Sequence, residues 1–176
     1  MIATAPLDPD RTALLLIASP QEDPPGPPAA GLAGAAALVR RARAVGVHVV
    51  HVHHLPPAGN EGGGTSAAVP AGWEAVVETR AADPFAGTRL QEELSARGVD
   101  AVVMAGPMTL DCCEAAALQS MARRYRTLVA DDALGADERG AAERARVLRE
   151  RNRAGAEVLS AGAIAGLWDA EDAPPL

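Results

Sequence analysis

The sequence predicts an α/β fold in which a mainly parallel sheet of six strands is covered by helices on both faces. Short apolar runs without polar alternation recur along the chain, and such runs are typical of strands buried on both faces. Alanine-rich and arginine-rich stretches of helical composition separate these runs. Because strands and helices alternate, neighbouring strands are expected to be parallel. A length of 176 residues suits one hydrophobic core, so we expect a single domain over residues 1–176.

The first half of the chain contains three predicted strands and two predicted helices. The first strand is a continuous apolar run, and the second has β-branched residues at alternate positions. The first helix is alanine-rich and has arginines near its end, where the helix dipole favours cations. Gly46 and Gly98 are expected to end the two helices. In order, the elements are Thr12–Ile17, Ala29–Val45, Val47–His53, Val76–Val77 and Thr88–Arg97.

The second half is expected to continue the alternation. Its longest helix is rich in arginine and glutamate, which pair at i, i+4 spacing on a solvated face. Two segments rich in proline and glycine, Gln21–Pro28 and Pro56–Gly72, are predicted loops, and the tail Glu171–Leu176 is expected to fray. In order, the elements are Asp100–Ala105, Cys112–Tyr125, Thr127–Ala130, Asp137–Ala154, Glu157–Leu159 and Ala161–Trp168.

Composition narrows the classes of partner. The chain has 23 acidic residues and 16 basic ones, all of them arginine, and its formal net charge is -7. This negative balance argues against nucleic acid and anionic membranes as partners. We expect neither a signal peptide nor a membrane span, because no basic segment precedes a long apolar one. The two cysteines are adjacent, about 3.8 Å apart at Cα, which disfavours a disulfide between them and favours a reduced, cytoplasmic protein.

The segment Val102–Ala115 carries the most specific chemical signal. A buried strand ends at Gly106, the chain turns tightly, and Cys112 opens the next predicted helix. A helix N-terminus lowers the pKa of a thiol, and its unpaired N–H groups can hold an oxyanion. The alternative is that Cys112 is a small, inert core residue, as most unpaired cysteines are. Cys113 is expected to lie in the core.

The segment Gly106–Cys112 resembles the motif that carries the nucleophile in the isochorismatase-like cysteine hydrolases. The family pattern is glycine, an apolar residue, any residue, threonine, often aspartate, any residue and then cysteine. The segment fits this pattern, except that Leu110 replaces the frequent aspartate. Phe85–Leu90 and Asp131–Ala133 add to the resemblance, which covers nearly the whole chain.

The resemblance implies a Rossmann-like three-layer domain, a homodimer or higher homo-oligomer, and Cys112 as the nucleophile. It also implies a cis peptide bond between Pro107 and Met108, which in the family helps to shape the oxyanion site next to the cysteine. Further residues that the motif and the sheet edge place near this site are His53, His54, Phe85, Thr109 and Asp111.

The chain departs from the family at two positions that matter for catalysis. The family has a catalytic aspartate where this chain has Ala18, and a catalytic lysine where it has Thr79. In the family the aspartate takes the proton of the thiol and the lysine stabilises charged states. An alanine and a threonine can do neither, and loss of a general base typically costs ~10²–10⁴ in rate.

Several acidic residues could replace the missing base. Glu22 and Asp23 follow the first strand, Asp83 lies near the segment of the missing lysine, and Asp111 precedes the cysteine. The simpler interpretation is that each is a solvated loop charge. Arg80 is one residue past the lysine position, so on a strand its side chain turns to the opposite face.

Four histidines cluster on and after the second predicted strand. His51 and His53 share one face of the strand, and His48 and His54 lie on the other. Two histidines at i, i+2 could ligate a metal, but hydrogen-bonded core residues are the simpler expectation, so no metal is predicted. His53 or His54, at the end of the strand, could contact a ligand or move a proton.

These observations predict a divergent enzyme of specialised, natural-product metabolism that acts on a small molecule through Cys112 and needs no cofactor. Without the aspartate and the lysine, efficient hydrolysis by the family mechanism is not expected. The reaction could be a slower hydrolysis, or a rearrangement, cyclisation or elimination. Two alternatives stay open: a catalytically inactive module that binds a metabolite or a protein, and a metal-dependent enzyme that uses the histidines. Trp73 and Trp168 are expected at an interface or in a pocket wall.

Overall fold

The computed structural model describes residues 4–18, 30–55, 68–107, 110–135, 146, 148–150 and 155–169. The two predicted loops, the Asp137–Ala154 helix and the tail therefore lie largely or wholly outside the described residues. The strands are β1 (Thr12–Ala18), β2 (His48–His54), β3 (Ala75–Thr79), β4 (Ala101–Gly106), β5 (Arg126–Leu134) and β6 (Glu157–Leu159). The helices are α1 (Ala30–Val45), α2 (Leu90–Ala96), α3 (Leu110–Ala122) and α4 (Ala161–Asp169).

The six strands form one sheet in the order β3-β2-β1-β4-β5-β6, and every neighbouring pair is parallel. This confirms the predicted α/β fold. The strand order reverses next to β1, because the chain first builds the sheet outward to β3 and then returns to add β4 on the other side. In such sheets a ligand binds beyond the carboxyl ends of the strands, near this switch point.

Each face of the sheet is covered by its own hydrophobic cluster. Leu15 and Ile17 of β1 face α2 and α3, where they pack in a cluster with Leu94 and Ala116. Leu14 and Leu16 face the other way, and their cluster contains Leu38 of α1 and Ile164 of α4. The alternation of β1 side chains between two apolar layers explains why its sequence has no polar positions.

Several boundaries differ from those predicted. β5 continues to Leu134, because Gly135 N–H donates to the carbonyl of Gly106 and keeps the two strands together beyond the predicted end. α3 begins at Leu110, two residues before Cys112, so the cysteine does not open the helix.

The prediction for Trp168 was wrong, since its side chain is buried in the α1–α4 cluster. Within the described residues, no helix has the length and apolar character to cross a membrane.

Two glycines let α1 approach the carboxyl end of β5. A Cβ at Gly34 would lie 2.7 Å from the carbonyl oxygen of Asp132, and one at Gly31 would collide with the carbonyl of Leu134. These neighbours are backbone atoms of a buried strand, so they cannot move aside as a flexible side chain would. The helix therefore rests on the strand only because these two positions lack side chains.

We predict that Gly34→Ala lowers the free energy of unfolding by about 1–3 kcal/mol, because the added methyl overpacks this contact. Gly166→Ala in α4 is the matched control, since no atom of the described residues lies within 4 Å of its Cβ position. There the same change is expected to stabilise the protein by about 0.5–1 kcal/mol through helix propensity. Urea denaturation of both variants measures the two values, and equal effects in the same direction would contradict the prediction.

Candidate active site at the carboxyl edge of the sheet

The parallel register brings the ends of four strands to one edge. Ala18 of β1 is the Cα partner of His53 of β2, and His54 is the partner of Thr79 of β3. On the other side of β1, Gly106 ends β4. Residues separated by up to 88 positions in sequence thus meet at the edge where open α/β sheets bind ligands.

Strand alternation divides these residues between the two faces of the sheet. Ala18 and His53 continue the rows of Leu14 and Val49, which belong to the cluster on the α1 side. Thr79 continues the row of Val77, which belongs to the cluster on the α2–α3 side. The two positions at which the sequence predicts loss of the family's aspartate and lysine therefore lie on opposite faces of the same edge.

The turn from β4 into α3 is fixed by a close backbone contact. Gly106 has a φ of +118°, and a Cβ there would collide with the carbonyl of Ile17. Only glycine adopts this conformation at such a short approach without strain. Met108 and Thr109 lie outside the described residues, and so does the peptide bond between Pro107 and Met108.

The two cysteines have different environments. Cys112 is the third residue of α3, is half-buried, and packs against the cluster that contains Phe85 and Val77. Cys113 is fully buried, and burial raises the pKa of its thiol to about 12. The expected core position of Cys113 is confirmed, and its thiol stays protonated at neutral pH.

The two residues predicted to occupy the aspartate and lysine positions offer no acid or base. Ala18 is buried and has only a methyl group. Thr79 is also buried, and its hydroxyl oxygen accepts a hydrogen bond of 3.1 Å from the N–H of Ala81. This local turn satisfies the hydroxyl, so Thr79 serves the backbone after β3.

Phe85 belongs to the hydrophobic cluster against which Cys112 packs. Its ring stacks on Tyr125 with centroids 6.3 Å apart, and the guanidinium of Arg123 lies 4.3 Å from its centre. Asp83, one of the possible replacement bases, accepts a hydrogen bond of 2.8 Å from Phe85 N–H and lies 3.9 Å from Arg123. The carboxylate therefore holds the loop that carries Phe85.

The other charged residues considered as replacements lie at the surface or outside the described residues. Asp111 is exposed on the first turn of α3, and Arg80 is exposed after β3. Glu22 and Asp23 lie outside the described residues. The described part of the chain thus places no carboxylate from this group in the interior next to Cys112.

A buried carboxylate that the sequence did not reveal lies behind the histidines. The side chain of Glu74 is only 2% exposed, and it accepts hydrogen bonds from Arg43 at 2.7 and 2.8 Å and from Ala71 N–H at 2.8 Å. His51 Nε2 lies 2.8 Å from the same carboxylate. A glutamate at the end of a long glycine-rich loop gives no sequence signal of this kind, because its partners come from α1 and β2.

These contacts determine the protonation states of Glu74 and His51. Burial raises the pKa of Glu74, but the hydrogen bonds from Arg43, Ala71 and His51 together outweigh burial and lower the pKa to about 2. Burial lowers the pKa of His51 despite the opposing effect of Glu74. His51 is therefore neutral at neutral pH and donates through Nε2–H. Its Nδ1 is a buried acceptor that has no partner within the described part of the chain.

Burial is the main influence on the pKa of His48 and of His54. Burial and then Arg97 lower the pKa of His48 to about 4, and burial lowers the pKa of His54. His51 and His53 pack edge to face, with ring centroids 6.4 Å apart. Among the residues that the structure describes, no three histidine, cysteine, aspartate or glutamate side chains are grouped so that they could hold a metal.

We predict that iodoacetamide modifies Cys112 in the folded protein and leaves Cys113 unmodified, because only Cys112 is accessible and Cys113 has a strongly raised pKa. Peptide mass spectrometry after mild labelling measures both sites. Labelling in denaturant is the control, in which the two thiols should react alike. Preferential modification of Cys113 in the native protein would contradict the assignment.

We also predict a pH-dependent loss of stability in which Glu74 is the titrating group. Its pKa is about 2 in the folded protein against an ordinary value of 4.5, so its ionised form stabilises the fold above that value. Glu74→Gln should lower the free energy of unfolding by about 1–3 kcal/mol near pH 6. The difference between the variant and the native protein should shrink as the pH falls from about 4.5 toward 2. A difference that does not change over this window, measured by urea denaturation, would contradict the role of Glu74.

Comparison with known proteins places this geometry in a family. The model of the isochorismatase domain matches residues 27–163. A secreted isochorismatase effector of Verticillium dahliae is 36% identical over 106 residues, 56% of this chain and 56% of the effector. The maleamate amidohydrolase of Pseudomonas putida is 32% identical over 123 residues, 57% of this chain and 58% of that enzyme. The chain thus spans about half the length of the curated relatives that it matches.

The fold has close counterparts among solved structures. A cysteine hydrolase from Pseudomonas syringae superposes with a TM-score of 0.76 at 20% identity, covering 97% of this chain and 99% of the other. At that identity the likeness shows the shared fold. The domain match covers most of the residues, from before α1 into α4. The chain therefore belongs to the isochorismatase family.

Proposed function

We propose that this protein is an enzyme that transforms a small molecule through Cys112, without the acid–base pair that serves hydrolysis in its family. One observation carries the proposal. A half-buried thiol stands near the start of α3 and packs against the cluster that contains Phe85, while positions 18 and 79 hold a methyl group and a hydroxyl engaged in a local turn. Cys112 thus keeps its position in the fold, and we propose that Ala18 and Thr79 replace the aspartate and the lysine.

The type of reaction follows from the absence of a general base. A thiolate can attack an electrophilic carbon, but rapid hydrolysis of the resulting adduct needs a base that activates water. Without that base the adduct persists long enough for a rearrangement, a cyclisation or an elimination within the bound molecule. We place such a reaction in specialised metabolism. It would convert one substrate intramolecularly and require no second substrate.

The character of the substrate follows from the same residues. An ionised aspartate and lysine would have to be kept solvated or paired in the pocket. Alanine, threonine and the ring of Phe85 impose no such requirement, so they suit a less charged ligand. The matched maleamate amidohydrolase is named for a small substrate, which supports a small molecule here as well.

A binding module without catalysis is the second candidate. It is favoured by the same two substitutions, because Ala18 and Thr79 leave the thiol without the residues that activate it in the family. We also propose that the protein associates as a homodimer or higher oligomer. Trp73, which is 78% exposed, is suited to such an interface. A cytoplasmic location stays a prediction, and one matched relative is a secreted protein.

p-Nitrophenyl acetate separates the two candidates. An active nucleophile should release about one equivalent of nitrophenol in a burst and then turn over slowly, because acetyl-Cys112 forms readily and is hydrolysed poorly without a base. Hydrolysis of nicotinamide and isochorismate should be negligible. Intact-mass spectrometry identifies the acetylated protein.

Two variants define the outcome. Cys112→Ser should abolish the burst, and Cys113→Ser should keep it, because Cys113 is buried. A native protein that gives no burst would support the binding module. Rapid turnover of isochorismate or nicotinamide would contradict both candidates and would mean that another group replaces the aspartate efficiently.

A further inference from the structure

We propose that β3 is an interface strand, to which a second copy of this chain adds its own β3 in antiparallel orientation. Trp73 of each copy then covers the end of the other copy's strand. This inference rests on the proposed homo-oligomer and gives that association a surface and a symmetry. It makes no use of the chemistry of Cys112. The two six-stranded sheets become one continuous sheet.

The first argument is the open edge of the sheet. β3 is the terminal strand in the sheet order, and β2 is its one neighbour among the described strands. Leu55 N–H donates to the carbonyl of Thr79, so the main-chain groups of Thr79 point toward β2. Main-chain groups alternate in direction along a strand, so those of Val76 and Glu78 point away from the sheet. No main-chain group of another described residue is bonded to them.

This edge carries little protection against pairing. Native proteins usually protect an edge strand with lysine, proline, a bulge or a covering segment. β3 has the sequence Ala-Val-Val-Glu-Thr, with neither lysine nor proline, and its register with β2 runs without a bulge. Glu78 is the one charged residue of the strand, and Val76 is 46% exposed. A strand of this composition is suited to pairing with another strand.

The second argument is the apolar surface next to this edge. Three of the four exposed large hydrophobic side chains that the structure describes are Val69, Trp73 and Val76, which lie within eight positions. Their segment is held in place, because Arg43 donates to the carbonyl of Val69 at 2.9 Å and to the carboxylate of Glu74 at 2.8 Å. An ordered segment that exposes a tryptophan is typical of a protein interface.

The third argument is that β3 is complementary to itself. A two-fold axis through Val77, normal to the sheet, places Val76 opposite the partner's Glu78, and Glu78 opposite the partner's Val76. These residues have outward main-chain groups, so each pair exchanges two N–H···O bonds, about four in all. Val77 is the middle residue of β3, so this register overlaps the whole strand. An axis through Glu78 instead would set two carboxylates opposite each other, which is destabilising.

The same register accommodates the exposed side chains. Continued beyond the strand, it brings Trp73 next to the partner's Ala81, and Ala81 is an exposed residue with a small side chain. The exposed charges of this segment are one acid, Glu78, and one base, Arg80, so they sum to zero although the chain carries -7. A second copy therefore fits this edge without like charges opposite each other. Such an isologous contact closes as a dimer.

The test combines the mass of the assembly with amide exchange. Sedimentation equilibrium from about 1 to 200 µM should show a species of twice the 18.0 kDa chain mass at the upper concentrations. Hydrogen–deuterium exchange, resolved to single residues by mass spectrometry, should be roughly tenfold slower there for the N–H groups of Val76 and Glu78, because only the dimer bonds them. The N–H groups of Val77 and Thr79 face β2 and should be protected at every concentration.

Two variants test the side chain and the main chain separately. Trp73→Ala should weaken dimerisation roughly tenfold or more, because a buried tryptophan usually dominates an interface. Val76→Pro removes an outward N–H and no bond to β2, so it should keep the fold and abolish the dimer. Leu118→Ala on α3 is the matched control, since Leu118 is another hydrophobic residue, 44% exposed, and this variant should dimerise like the native protein. Circular dichroism shows whether each variant is folded.

The outcomes separate this inference from the rest of the proposed function. A native protein that stays monomeric at the highest concentration would overturn both the association and the interface. A dimer in which Val76 and Glu78 exchange freely, or which Trp73→Ala leaves intact, would overturn the interface alone. If Val76→Pro fails to fold, Trp73→Ala and the exchange pattern of the native protein still decide. The burst with p-nitrophenyl acetate tests Cys112 separately and should be retained in Trp73→Ala.

Discussion

The parallel pairing of β1 with β2 and β4 is the constraint on which the rest of the structure depends. All seven residues of β1 are buried, so both of its faces and both of its edges are occupied. A slip of one residue would move every side chain to the opposite layer, which fixes the register strongly. The register in turn brings Ala18, His53 and Gly106 to the same edge. The position of the site is therefore a consequence of how the core packs.

At this edge the candidate site residues lie on two different faces of the sheet. Cys112 packs with Phe85 on the side of α2 and α3, and Thr79 lies on that side too. Ala18 and His53 lie on the side of α1. A ligand seated beyond the strand ends can contact groups from both sides, which no ligand within either hydrophobic layer could do. The two positions predicted to be substituted, Ala18 and Thr79, therefore lie on different sides of this edge.

The network around Glu74 shows how a charge is kept in the interior. An ionised carboxylate is costly to bury unless it is paired and hydrogen-bonded, and here Arg43, His51 and Ala71 N–H provide the partners. The same carboxylate joins α1, β2 and the segment before β3. It also fixes His51 as a neutral donor.

The sequence by itself determined the fold class and the order of the elements, because unbroken apolar strands and glycine-ended helices are local patterns. It also predicted Cys112 as the nucleophile from a motif of fixed spacing, and Ala18 and Thr79 as substituted positions from a family resemblance. It did not determine the end of β5, since Gly135 is paired by a carbonyl of β4, nor the core position of Trp168. Only the tertiary structure decided which groups surround the site. Glu74 meets Arg43 and His51, and Ala18 meets His53, through pairings between distant segments. Such pairings depend on strand register and helix packing, which no local pattern in the sequence encodes.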